Sequence, residues 1–160
     1  MLARHSVVPC GLCLLASEGT SVARGRERNT AMSERTNEAE VAAVADCARA
    51  YHDGSIAGDE KLLRDAFHPR ACIVGNYPGE LEWLTLEEYI AECTDEKDES
   101  APSEWRIVGL SIEGDTALVR LRELYKGEWY SDDLSMLRVD GTWRIVHKTW
   151  YVHPSTPVPS

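Results

Sequence analysis

Residues 128–153 read EWYSDDLSMLRVDGTWRIVHKTWYVH, two runs of alternating apolar and polar residues on either side of Asp140-Gly141. An Asp-Gly pair between such runs signals a hairpin, because both turn residues must take positive φ and these two tolerate it. A two-residue turn sets the register: Val139 faces Thr142, Met136 faces Ile145, Leu134 faces His147 and Asp132 faces Thr149. Side chains alternate across a strand. One face is therefore expected to carry Asp132, Leu134, Met136, Trp143, Ile145, His147 and Thr149. The other carries Asp133, Leu137, Val139, Arg144, Val146, Lys148 and Trp150. The first face is apolar with two ionisable groups at one end, the pattern of a ligand pocket.

The chain around this hairpin is 160 residues long and 43% hydrophobic, enough for one domain with a sizeable core. Its formal net charge is −10. That balance argues against nucleic acid and against anionic membrane surfaces, both of which need Lys and Arg in excess. No run approaches the roughly 20 apolar residues of a transmembrane helix. The five cysteines are odd in number and scattered, which speaks against a disulfide framework. Cys10 and Cys13 have CxxC spacing without a second ligand pair, so no metal is expected there or elsewhere.

Residues 1–36 differ from the rest and read as a disordered leader. One short apolar patch, Val7 to Ala16, is interrupted by Pro9 and Gly11 and lacks a clear cleavage site. Met32 opens a stretch that reads as a natural start, so the leader has the look of an upstream extension and the protein of a cytoplasmic one. From Asn37, with Glu40 three residues on, a helix is expected, its inner face Val41, Val44, Ala45, Ala48 and Tyr51. Asp59 caps a second helix over 60–67, stopped by His68-Pro69. Strands follow at 71–76 and 81–84. Thr85 and Glu88 form a capping box for a third helix, and strands at 105–113 and 116–125 lead into the hairpin. Residues 154–160 are a proline-rich tail. Helices first and a meander of strands afterwards predict an α+β fold, a conical curved antiparallel sheet with three helices packed on its concave side.

This order resembles the nuclear transport factor 2-like superfamily. More narrowly, it resembles the branch described as "putative lumazine-binding", relatives of the SnoaL-like polyketide cyclases. The stretches that carry the resemblance are YHDG (51–54) with Gly58-Asp59, AFHP (66–69), IEGDTA (112–117) and DDLSMLRVDGTWRIVHK (132–148). It spans about residues 38–153, leaving the leader and the tail outside a single domain over 37–153. The resemblance implies a conical pocket and a homodimer formed through the outer sheet face. Superfamily members include dehydratases, isomerases, cyclases and noncatalytic binding modules, and fold does not choose among these.

Asp132 and His147, diagonal neighbours on the apolar face, form a candidate acid–base pair for proton abstraction beside a carbonyl, dehydration or aldol-type closure. The plainer alternative has Asp132 holding a strand end and His147 satisfied in the core. Tyr51, His52, Tyr77, Trp83, Leu134, Met136 and Trp143 are the candidate ligand contacts, and a small apolar or aromatic molecule is the expected ligand. Opposite, Asp133 should pair with Lys148, and Val146, Lys148 and Trp150 are the expected homodimer surface. The sequence thus predicts a small-molecule-binding protein, noncatalytic or weakly specified, without a cofactor and with an unassigned ligand. The alternative is a cofactor-independent isomerase, dehydratase or cyclase-like enzyme using Asp132 and His147.

Overall fold

The computed structural model describes residues 19–77, 80–97 and 102–153, with side chains from residue 37 onward and without that of Tyr77. The chain divides into two compact units, Met1–Glu38 and Ala39–Ser160. Everything relevant to the site lies in the second. The Cys10–Cys13 pair and the tail at 154–160 lie outside the described residues, as does the side chain of Tyr77.

The elements follow in the order α1 (Gly19–Ala57), α2 (Glu60–Ala66), β1 (Phe67–Tyr77), β2 (Glu80–Thr85), α3 (Leu86–Asp95), β3 (Glu104–Glu113), β4 (Thr116–Tyr125), β5 (Glu128–Val139) and β6 (Thr142–Val152). The expected succession is met. Helix α1, however, begins well before Asn37, which therefore sits inside it and caps nothing. No proline interrupts residues 19–57, and before Asn37 Ala, Arg, Glu and Met supply helix propensity. Gly58, at φ +60, ends the helix, and Asp59 accepts a hydrogen bond from the Leu62 amide (3.1 Å) to start α2. The Thr85–Glu88 capping box opens α3 as expected.

The six strands form one curved sheet in the order β2-β1-β6-β5-β4-β3, antiparallel except where β1 runs parallel to β6. The strand that closes the chain thus lies at the centre of the sheet. Val44, Ala48 and Tyr51 of α1, Leu63 of α2 and Ile90 of α3 pack with Val119, Leu121, Leu134, Met136 and Ile145 of the sheet in one buried core. Glu40 ties α1 to the hairpin end, accepting from Trp143 Nε1 (3.1 Å) and from Arg138 (2.6 Å).

The hairpin keeps the expected register only near its turn. Asp140 and Gly141 take φ of 50 and 79, Val139 faces Thr142, and Met136 faces Ile145. Beyond this, Ser135 pairs with His147, and Val146 is left without a partner. This β-bulge places two residues of β6 against one step of β5 and reverses the facing of everything after it. Leu134 therefore meets Lys148 rather than His147, and Asp132 meets Trp150 rather than Thr149. Lys148 is buried, and His147 is left half-buried, off the inner face. The expected Asp133–Lys148 pair does not form. Asp133 instead holds Arg120 through two hydrogen bonds of 2.6 Å on the exposed face.

Candidate functional site

Beyond the bulge, the inner face of the sheet carries ionisable groups where a core would carry aliphatics. Strand β4 alternates so that Ala117, Val119, Leu121 and Glu123 point inward, all buried. Asp132 on β5, Lys148 on β6, and Tyr51 and His52 on α1 are buried beside Glu123. A carboxylate or ammonium without a partner in such a place costs several kcal/mol, so the groups must compensate one another. They do so in one connected network.

The Tyr51 hydroxyl lies 3.0 Å from Glu123 Oε1 and in a short hydrogen bond with Asp132 Oδ2. A phenol has one proton to give, so it can donate to only one of these carboxylates at a time. Lys148 Nζ is 3.2 Å from Asp132 Oδ2. It also sits over the rings of Tyr51 (4.9 Å) and Tyr89 (5.1 Å), a cation held against two aromatic faces. Glu123 Oε2 is 2.7 Å from His52 Nδ1, and His52 Nε2 is 2.8 Å from Ser103 Oγ. Ser55 Oγ donates to the Tyr51 carbonyl and shares a 2.9 Å hydrogen bond with the Tyr89 hydroxyl. Among the described residues, Asp132 Oδ1 has no hydrogen-bond partner although it is fully buried.

Burial pushes the Asp132 carboxyl up to about 7, against the pull of Lys148 and with the help of the Glu123 charge. Glu123 is equally buried, yet its hydrogen bond to His52 and the nearby Lys148 charge hold it below the usual carboxylate range. The two carboxylates titrate as a pair, with Asp132 the member that keeps a proton longer. Burial alone would lower the Lys148 ammonium, but Asp132 and Glu123 outweigh it and hold its pKa up. Lys148 is therefore a cation, not a free amine.

A cavity of about 160 Å³ opens beside the network. That is close to the volume that accepts a benzene-sized ring. Tyr51, His52, Glu123 and Lys148 form its inner lining, and Tyr89, Tyr130 and Trp150 are among its walls. Trp150 reaches this position because β1 has Gly75 beneath it; a Cβ there would stand 1.9 Å from the indole. Its Nε1 donates to Glu82 (3.1 Å).

Of the residues singled out from sequence, Tyr51 and His52 line the cavity, and Asp132 lies directly behind Tyr51 and Lys148 without lining it. His147 does not join Asp132, because the bulge removes it from that face. Leu134, Met136 and Trp143 are buried core residues away from the cavity, while Trp83 is 66% exposed on β2. Lys148 and Trp150, expected outside as dimer contacts, face inward, leaving only Val146 of that set off the inner face. Glu123, Lys148 and Tyr89 were not recognised as site residues. Glu123 had a legible signal, a carboxylate at an inward position of an alternating strand.

These nine elements and the pocket between helices and sheet define a nuclear transport factor 2-like protein. A protein of that class and of unknown function from Silicibacter pomeroyi superposes with a TM-score of 0.70 at 31% identity, over 73% of this chain and 98% of its own. A second, from Shewanella baltica, gives 0.67 at 24% identity, over 72% and 95%. Within the class, the chain belongs to the family described as "Putative lumazine-binding", whose model matches residues 39–151. It is also similar to a protein named Aldolase FrzH from a Cladobotryum species, 26% identical over 125 residues, 77% of this chain and 99% of that one. No helix among the described residues is long and apolar enough to cross a membrane.

Proposed function

We propose that the protein is a cofactor-independent enzyme of acid–base carbon chemistry, which takes a proton from the carbon beside a carbonyl of a small ligand held in the cavity. One observation carries this reading: Tyr51, His52, Glu123 and Lys148 line the cavity and belong to the same buried network, with Asp132 behind them. A pocket that only bound an apolar ring would not need two carboxylates, a lysine and a histidine at its base, each costly to bury. The name of the aldolase relative is in keeping with such chemistry, since an aldol step also begins by forming an enolate.

In this reading His52 is the base. Glu123 at Nδ1 favours the tautomer with the proton on that nitrogen, which leaves Nε2, now sharing a hydrogen bond with Ser103, as the acceptor. The carbon-bound proton passes to Nε2, and the electron pair it leaves moves onto the carbonyl oxygen. The Lys148 ammonium supplies positive charge for that enolate oxygen. Asp132 touches neither; it positions Lys148 and Tyr51. The enolate then takes the proton back from His52 at another atom, or expels a β-hydroxyl that leaves as water with that proton, or adds to a second carbonyl whose oxygen takes it. Because Lys148 is kept charged, it is not a Schiff-base nucleophile.

The test is proton exchange in D2O, followed by NMR, on cyclohexanone and a panel of small cyclic and aryl ketones. Wild-type protein should accelerate exchange of at least one ketone above the buffer rate, and His52→Gln should reduce that acceleration by at least about a hundredfold. Borohydride added with the ketone should leave the protein mass unchanged. Exchange at the buffer rate throughout the panel, or an undiminished rate in His52→Gln, would remove this assignment.

A further inference from the structure

The solvent-side part of the cavity has a chemistry that the proton transfer does not use. Glu82, Glu92 and Glu96 line it there, and Glu123 lies deeper; among the described residues, the lining sets against these four carboxylates one lysine, Lys148, already engaged by Asp132. Glu96 is engaged by Lys126, and Glu82 accepts from Trp150 Nε1. Glu92 is drawn toward its neutral form by partial burial and by the charges of Glu82, Glu96 and Glu88, a sign that the negative potential at the opening is not neutralised. An anionic ligand would be repelled here.

The second observation is independent of the acids. Tyr125, Tyr130 and Trp150 stand in a chain of edge-to-face contacts, with centroids 6.1 and 6.0 Å apart, and all three line the cavity together with Tyr89. Rings of this kind, joined to carboxylates, are how proteins hold ammonium groups. The cavity already holds one such group: Lys148 Nζ lies over the faces of Tyr51 and Tyr89. Lys126 Nζ repeats the arrangement, 5.2 Å over Tyr125.

We infer that the ligand is a cation, a protonated or quaternary amine whose charged nitrogen sits among Tyr125, Tyr130, Trp150 and Glu92 while its neutral, carbonyl-bearing part reaches the Tyr51–Lys148 end. This takes the cavity of the proposed enzyme as its site and adds the substrate class. A positive nitrogen near the opening also acidifies a carbon–hydrogen bond beside the carbonyl, so that recognition and chemistry act in the same direction.

The experiment is a calorimetric titration of the full chain with choline and with its neutral isostere 3,3-dimethylbutan-1-ol. Choline should bind at least about tenfold more tightly, a difference of about 1.4 kcal/mol. Glu92→Gln removes a charge from an exposed position without altering the fold, and should reduce that preference roughly threefold through choline alone. Equal affinity for the two compounds, or a preference unchanged in Glu92→Gln, would overturn the inference. Because the readout is binding, its failure is distinct from that of the acid–base reading. Ketone exchange without a choline preference would remove only the substrate class, and a choline preference without ketone exchange would remove only the enzyme.

Discussion

The two halves of the β5–β6 hairpin obey the same alternation and end up opposite in character. Toward the turn, Met136 meets Ile145 across the strands, and the inner face is plain core. Past Val146, the inner face holds Asp132 and Lys148 and leads to the cavity, while Asp133 and Arg120 pair in solvent. The difference arises from one unpaired residue. A bulge re-aims the strand beyond it, and here it carries a lysine and a tryptophan from the expected outer face to the inner one. The site exists because the register slips.

The strongest way to break this comparison is to insert one alanine between His147 and Lys148. The parity of β6 beyond the bulge would then invert, turning Thr149 inward and Lys148 and Trp150 outward. Asp132 and Glu123 would lose their buried cation, and the cavity would lose a wall. We expect a loss of at least about 3–5 kcal/mol, the cost of stripping a buried charge of its partner. Urea unfolding followed by tryptophan fluorescence would measure it. An insertion variant as stable as the parent would mean that the facing set by the bulge does not maintain the site.

A sharper cut leaves the backbone alone. Lys148→Met should cost about 3–5 kcal/mol at pH 8, whereas His147→Ala, on the other side of the bulge, should cost under about 1 kcal/mol. The pH dependence separates charge from packing. Asp132 has a folded-state pKa of about 7, above the ordinary carboxylate value, so its contribution to stability is fully present below about pH 4 and is lost as pH rises through 7. Without Lys148, the main influence lowering that pKa is gone and the loss on raising pH becomes larger. The Met variant's deficit should therefore be smallest near pH 4 and grow through pH 7, as read from urea midpoints across that range. A deficit independent of pH would assign the loss to packing.

The same contrast marks how far the sequence could be read. Local chemistry was legible: Asp140-Gly141 takes the two positive φ angles it announced, and the Thr85–Glu88 box and the Asp59 cap start the helices they should. So was the order of elements, because alternation and helical spacing are properties of short windows. The bulge was not, since Val146 is an ordinary strand residue and nothing about it requires the extra place. Every β6 assignment beyond it inherited the wrong face, which is why His147 was chosen and Lys148 set outside. Strand β4 has no such break in its inward positions from Ala117 on, and there Glu123 could have been found by asking which inward residue is charged. Helix α1 shows the converse, its start extended to Gly19 by propensity where a capping pair suggested a beginning.

The smallest expected effect lies on the exposed half of the comparison. Asp133 and Arg120 make two hydrogen bonds of 2.6 Å, shorter than the 3.2 Å between Lys148 and Asp132, and by distance alone would be the stronger pair. Water reverses the ranking. Both side chains of the outer pair are at least half exposed, so the charges are already solvated when apart, and holding them together costs side-chain entropy. Asp133→Ala should therefore change stability by no more than about 1 kcal/mol, and less at 1 M salt, where the Debye length falls to about 3 Å. The Lys148→Met deficit should respond far less to salt, because ions do not reach it. Parallel urea titrations at 0.1 and 1 M sodium chloride would compare them. A salt-sensitive Lys148 with a salt-insensitive Asp133 would mean that the inner and outer faces of the hairpin are assigned the wrong way round.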